Sequence, residues 1–132
     1  LIRQILNNLV DYCKDVNIGM VSIADTDYVH SVIAEITMSL YATESITYLT
    51  AGLLDQYDNQ DCLMESTIVK VFATQQAYSS ALRAMDIIGT PAYMKDHWCN
   101  ILLRDALSYK YLNEVTENFK IFKINLYIKW IF

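Results

Sequence analysis

Between Met64 and Met85 the chain reads MESTIVKVFATQQAYSSALRAM, placing Met64, Ile68, Val71, Gln75, Tyr78, Leu82 and Met85 alternately four and three residues apart. That spacing puts them on one side of an α-helix, and a seam kept in step for about six turns is the pattern of helices packed side by side. Gln75 is its one polar member. Gly89-Thr90-Pro91 ends the helix, because glycine caps a C-terminus, while proline lacks a donor and forces its predecessor out of the helical region.

The neighbouring stretches fit the same architecture. Before the seam, Asp55 to Asp61 is a polar loop, short enough to make the flanking helices antiparallel neighbours. The helix before that loop starts near Asp25-Thr26-Asp27, whose oxygens can accept from orphan N–H groups, and runs to about Leu54. Its stripe begins with Val29, Ile33, Ile36 and Leu40, then rotates to Ala42, Ile46, Leu49 and Leu53. A first helix carries Ile2, Ile5, Leu6, Leu9, Val10 and Cys13, with Gly19 as its C-terminal cap. After Pro91 a fourth helix runs from about Lys95 through Ile101, Leu102, Leu103, Ala106 and Leu107. A short fifth starts near Asn113 and includes Phe119 and Phe122. Lys123 to Phe132 has no clear period. The expected fold is all-α, an antiparallel up-down four-helix bundle with a short additional C-terminal helix. No period of 20 to 50 residues recurs, so the chain is not a repeat array.

Composition narrows the function classes. At 132 residues, 54% of them hydrophobic and 19% charged, the chain suits one packed core. Fifteen acids against ten bases give a net charge of −5, and no stripe of Lys and Arg is present to neutralise phosphates, so nucleic acid is not an expected partner. Cys13, Cys62 and Cys99 are far apart and form no C-x-x-C pair, which suggests neither a disulfide framework nor zinc and fits a reducing, intracellular compartment. No uncharged apolar run reaches the length of a membrane span, and Leu1-Ile2-Arg3-Gln4 lacks a signal-peptide pattern and reads as mid-chain.

Isolated candidates are better explained without chemistry. His30 and His97 lack the further ligands a metal requires and read as surface or hydrogen-bonded histidines, so no metal is expected. Cys99 and His97, two residues apart on a helix, point to different faces and do not make a thiol–base pair. The ten tyrosines read as core and interface residues, their rings packed and their hydroxyls wet.

Glu44-Ser45-Ile46-Thr47-Tyr48-Leu49-Thr50-Ala51-Gly52-Leu53-Leu54-Asp55, read with Glu65-Ser66-Thr67-Ile68-Val69-Lys70-Val71-Phe72, resembles the acyl-CoA dehydrogenases. The Tyr48–Asp55 stretch and Asp61-Cys62 are most similar to their mitochondrial very-long-chain branch, whose members include an assembly factor of respiratory complex I. The likeness covers about residues 1–122 and leaves 123–132 as a divergent tail. Arg104-Asp105 resembles the family's arginine–aspartate pair near the end of its C-terminal helical bundle, which follows an N-terminal helical domain and a small β domain.

The resemblance implies FAD, a mitochondrial setting, and dimers that meet through this domain. Several motifs nevertheless depart from the family pattern. The arginine and glutamine that hold FAD in the family match Val16 and Ile18. Its loop Gln-x-x-Gly-Gly-x-Gly, which approaches the dinucleotide of a neighbouring subunit, matches Asp86 to Ala92 and keeps only Gly89; Thr90-Pro91 adds bulk and deletes an N–H, and Asp86 adds repulsion. The family's catalytic base, the glutamate of Glu-Gly-Thr, removes an acidic α-proton while flavin takes the β-hydride. Aligned without gaps from Arg104-Asp105, it falls on Asn113, an amide that cannot act as a base. A one-residue slip instead offers Glu114 as base, with Val115 in place of the glycine and Thr116 as a cofactor contact beside Gly89. The expectation is therefore a catalytically impaired bundle serving in self-association or scaffolding. A homodimer and complex I assembly proteins are its implied partners, and FAD is weakly held or absent. The alternatives are the C-terminal part of an FAD-dependent acyl-CoA dehydrogenase acting at the α,β bond of a fatty acyl-CoA, and a truncated product without an independent role.

Overall fold

The computed structural model describes residues 1–56 and 62–112. Four helices account for most of them: α1 (Ile2–Asp15), α2 (Asp27–Gln56), α3 (Leu63–Ile88) and α4 (Trp98–Tyr111). The expected fold class holds. The expected fifth helix near Asn113, Phe119 and Phe122 lies outside the described residues, as does the tail 123–132.

The pairings that cross between helices show the antiparallel order. Ser39 Oγ donates to Gln76 Oε1 at 2.9 Å and Glu35 pairs with Arg83 at 3.1 Å, tying α2 to α3. Cys99 Sγ lies 3.9 Å from the Ala81 carbonyl, and Lys70 Nζ donates to the Leu112 carbonyl at 3.1 Å, tying α3 to α4. Arg3 donates to Glu44 and ties the start of α1 to the middle of α2. At 1.5 Å per residue α2 and α3 are about 45 and 39 Å long, whereas α1 and α4 are about 21 Å each. The short helices therefore flank only one half of the long hairpin. The core sits in that half, with Ile5, Leu9, Cys13, Ile36, Ala81, Ala84, Ala92, Cys99 and Ala106 essentially inaccessible to solvent.

Several sequence expectations need correcting. Gly19 does not cap α1. That helix ends at Asp15 with Val16 extended, and Gly19, at φ 66°, instead makes the turn of a two-stranded antiparallel hairpin, β1 (Asn17–Ile18) with β2 (Val21–Ser22). The reason is local: Val16 is already held by its N–H to Tyr12 O and by its own carbonyl, which accepts from Ile23 N at 3.2 Å. A 3-10 turn, Ile23–Asp25, then leads into α2. The fourth helix starts at Trp98 rather than Lys95, because Thr90–Tyr93 forms another 3-10 turn after Gly89.

The largest correction concerns the α3 seam. Met64, Ile68, Gln75 and Leu82 are exposed, and of the seven only Met85 is buried. The buried stripe is Ala77, Ser80, Ala81, Ala84, Met85 and Ile88. Small side chains let helix backbones approach closely, so α3 meets its neighbours largely along its alanines, with Tyr78, Met85 and Ile88 packed at the core and Met64, Ile68, Gln75 and Leu82 turned outward. On α2 the same occurs at Leu49, which is 65% exposed, while Thr50 beside it is buried.

Candidate functional site

The expected ligand positions among the described residues, Val16, Ile18, Asp86 and Gly89, lie at one end of the bundle core. There the antiparallel order gathers the hairpin after α1, the start of α2, the end of α3 and the start of α4. Val16 and Ile18 lie in that hairpin. Val16 has both backbone polar groups engaged, and Ile18 is 73% exposed, with an apolar side chain. Gly89 caps α3 with φ 71° and ψ −142°, its N–H bonding to the Met85 carbonyl at 2.8 Å. A side chain added there would meet nothing within 4 Å, so the glycine answers a backbone demand and no close approach to other described atoms. Asp86 is exposed, 4.0 Å from Arg83.

At the other end α4 finishes at Leu112, held by Lys70. Asn113, Glu114 and Thr116 follow it and lie outside the described residues. Fourteen residues of α4 put roughly 21 Å between its two ends. Gly89 and the residue preceding Asn113 therefore cannot address the same reacting atoms within one chain.

The remaining candidates are structural. His97 is the N-cap of α4: its Nδ1 accepts from the Cys99 N–H at 3.2 Å, satisfying a donor that the helix leaves open, and its ring lies beside Trp98. Cys99 points into the core, and burial pushes its thiol up to about 11; burial also raises that of Cys13. A thiol so placed stays protonated and is no nucleophile near neutral pH. His30 is exposed. Arg104 and Asp105 are both exposed, Arg104 donating to the Lys95 carbonyl at 3.4 Å, and neither is in an ion pair among the described residues. An open cleft of about 420 Å³ between α1 and α2 is lined by Leu6, Val10, Asp11, Lys14, Ile33 and Thr37, but its two charges, Asp11 and Lys14, pair with each other at 3.5 Å. Among the described residues no three His, Cys, Asp or Glu side chains group as metal ligands, and no helix is long and apolar enough to cross a membrane.

For FAD the described residues fit poorly. The positions that would donate hydrogen bonds are aliphatic, and the glycine loop is followed by a proline without an N–H. A feature the periodicity did not isolate is the outer face of α2. Ser31, Ala34, Met38, Tyr41, Ser45, Tyr48, Leu49 and Gly52 are all exposed and fall within one arc of the helix, with no charged residue among them. The signal was present as a second period offset from the stripe expected to be buried.

The comparisons agree with this architecture. A family model, acyl-CoA dehydrogenase, C-terminal domain, matches residues 1–113. The very long-chain specific acyl-CoA dehydrogenase, mitochondrial, of Macaca fascicularis is 25% identical over 121 residues, 91% of this chain and 18% of the relative. An acyl-CoA dehydrogenase of Bacillus subtilis (strain 168) is 34% identical over 102 residues, 76% of this chain and 26% of the relative. Among solved structures, the prolyl acyl carrier protein oxidase AnaB superposes with a TM-score of 0.84 at 18% identity, covering 95% of this chain and 32% of that one. An FAD complex of PigA superposes with a TM-score of 0.78 at 17% identity, covering 88% of this chain and 30% of that one. The chain thus spans about a fifth to a third of the relatives it matches. With the family match running over all four helices, the chain belongs to the acyl-CoA dehydrogenase C-terminal domain family.

Proposed function

We propose that this bundle works by association rather than flavin chemistry: a catalytically impaired acyl-CoA dehydrogenase-type domain, residues 1–122 with a divergent tail, that forms a homodimer and serves as a mitochondrial scaffold for assembly proteins of respiratory complex I. The observation that carries the reading is the uncharged outer face of α2, about 30 Å long from Ser31 to Gly52. A continuous exposed face holding Met38, Tyr41, Tyr48 and Leu49 is what an interaction surface needs, and a helix face can pair with its own copy about a two-fold axis. The aliphatic Val16 and Ile18 and the Thr90-Pro91 replacement support the other half of the reading. The mitochondrial setting follows the very-long-chain relative of Macaca fascicularis, whose name carries it.

The test is sedimentation of the purified chain, with its visible absorption spectrum before and after adding FAD. A colourless dimer that takes up no flavin, and that Tyr41→Asp with Tyr48→Asp turns into a folded monomer, is the expected result. Stoichiometric flavin would refute the reading and favour the family's α,β-dehydrogenation, with Glu114→Gln and a fatty acyl-CoA as the next experiment.

A further inference from the structure

The hairpin between α1 and α2 is anchored through one side of its ribbon. Asn17 pairs with Ser22, and Ile18 with Val21, across its two strands. Ser22 Oγ donates to the Cys13 carbonyl at 3.4 Å and accepts from Ala24 N at 3.2 Å, so the Ser22 side is the one held against α1. Successive residues of a strand point to opposite faces, which sends the Ile18–Val21 pair the other way. Met20 sits between them in the turn, beside Gly19. Ile18, Met20 and Val21 are 73%, 105% and 56% exposed. The turn needs the positive φ of Gly19 but makes no such demand for methionine at position 20, where Asn, Asp or Ser would keep the tip wet. Three adjoining apolar side chains with so little internal packing form a contact surface.

The charges at this end of the bundle decide what covers it. Asp11 and Lys14 pair with each other, and Arg83 is shared between Glu35 and Asp86. His30 is exposed, and His97 is engaged as the cap of α4. Asp15 immediately precedes the hairpin, Asp25 and Asp27 follow it, and Asp96 stands with Lys95 before α4; all five are exposed and in no ion pair among the described residues. Acids at the start of α2 suit that helix end, but Asp15 closes α1, where a negative charge opposes the helix dipole. Its position serves something other than the helix. The excess negative charge repels an anionic bilayer, and a two-fold copy of the same surface would set each aspartate near its image. We propose that the Ile18–Val21 tip, flanked by Asp15, Asp25 and Asp27, docks a cationic amphipathic segment of another protein, its apolar side on Ile18, Met20 and Val21 and its Lys or Arg side chains toward the aspartates. The inference gives the chemistry of a partner for the proposed scaffold and to that extent rests on that reading, but it uses a surface separate from the uncharged face of α2.

The probe is a fluorescein-labelled synthetic helix of leucine and lysine, with its leucines along one face, titrated with the purified chain and followed by anisotropy. Saturable binding that weakens with salt is expected, with deuterium uptake over residues 16–23 falling in the complex. Ile18→Ser with Met20→Ser, and separately Asp15→Asn with Asp25→Asn and Asp27→Asn, should each weaken binding by roughly tenfold, whereas Asp55→Asn at the far end of α2 should not change it. All these positions are exposed, so helicity is kept. Undiminished affinity in either set of variants, or equal binding of a peptide with glutamate in place of lysine, overturns the proposal. So does the absence of saturable binding, tighter binding to vesicles of phosphatidylcholine and phosphatidylglycerol than to the peptide, or protection of residues 16–23 that appears as the chain alone is concentrated. A chain that takes up flavin yet binds the peptide through this hairpin would refute the reading of impaired chemistry and leave the docking site standing; a colourless dimer that ignores the peptide would do the reverse.

Discussion

The alanine stripe of α3 makes a prediction on which the sequence periodicity and the structure disagree in sign. Ala84 is fully buried and stands on the side of α3 opposite Gln75, which is exposed. If the seam from Met64 to Met85 faced the core, Gln75→Leu would replace a buried polar group and stabilise, while Ala84→Leu would add an exposed side chain at little cost. The structure reverses both. Ala84→Leu forces three extra carbons into a site with no free volume, where overpacking costs about 1–3 kcal/mol. Gln75→Leu, on the surface, should stay within about 0.5 kcal/mol of the parent. For a domain of this size 1 kcal/mol moves Tm by roughly 4 °C, so Ala84→Leu should melt about 4–12 °C lower and Gln75→Leu within about 2 °C. Thermal melts followed by far-UV circular dichroism, with urea midpoints as a check, measure both. A Tm for Ala84→Leu at or above the parent's, paired with a clear gain for Gln75→Leu, would mean that the alanines do not form the packed face.

Three further outcomes follow from single positions. The Cys99 thiol, raised by burial to about 11 from 9.0, keeps its proton in the native chain while the unfolded chain ionises; the resulting stability is fully present below about pH 9 and lost by pH 11, on the order of 2–3 kcal/mol. Urea unfolding at pH 8 and pH 10.5 should therefore show a steeper alkaline loss in the parent than in Cys99→Ala, and equal slopes would refute the assignment. Gly89→Ala should cost about 1–3 kcal/mol, because φ 71° with ψ −142° suits glycine alone and no contact offsets the strain; an unchanged urea midpoint would show that the turn can relax. The Arg3–Glu44 pair, with side chains 65% and 38% exposed, should yield a coupling below about 1 kcal/mol in a double-mutant cycle, shrinking in salt.

What the sequence revealed and what it hid divide along physical lines. On α1 the stripe Ile2, Ile5, Leu9 and Cys13 is buried as expected, because a short helix with large apolar residues on one side has only one face to bury. The stop at Gly89 was readable for a similar reason, as glycine and proline act through their own backbones. Hydrophobic size misled the reading on α3 and on α2 at Leu49. Periodicity reports that a face is apolar; it cannot say whether that face meets the same chain, and the tight contacts here use alanine, which carries little hydrophobic signal. Gly19 was misplaced because a two-residue hairpin leaves hardly any pattern of its own. Of the candidate site, Gly89 was legible in position and conformation, whereas Asn113, Glu114 and Thr116 lie outside the described residues.

The separation between Gly89 and Leu112 constrains both readings of function. If flavin is bound, roughly 21 Å of α4 keeps Gly89 and Leu112 from meeting the same part of it, and the proposed dimer would let a second copy contribute to the site. If flavin is not bound, the uncharged face of α2 still calls for a partner, since exposed Met38, Tyr41, Tyr48 and Leu49 cost solubility and contribute no internal packing. Under the proposed dimerisation, association precedes chemistry in either case. Tyr41→Asp with Tyr48→Asp should abolish flavin uptake in the first case and leave a folded, colourless monomer in the second. A variant that stayed dimeric would show that the copies meet on a face other than the outer face of α2.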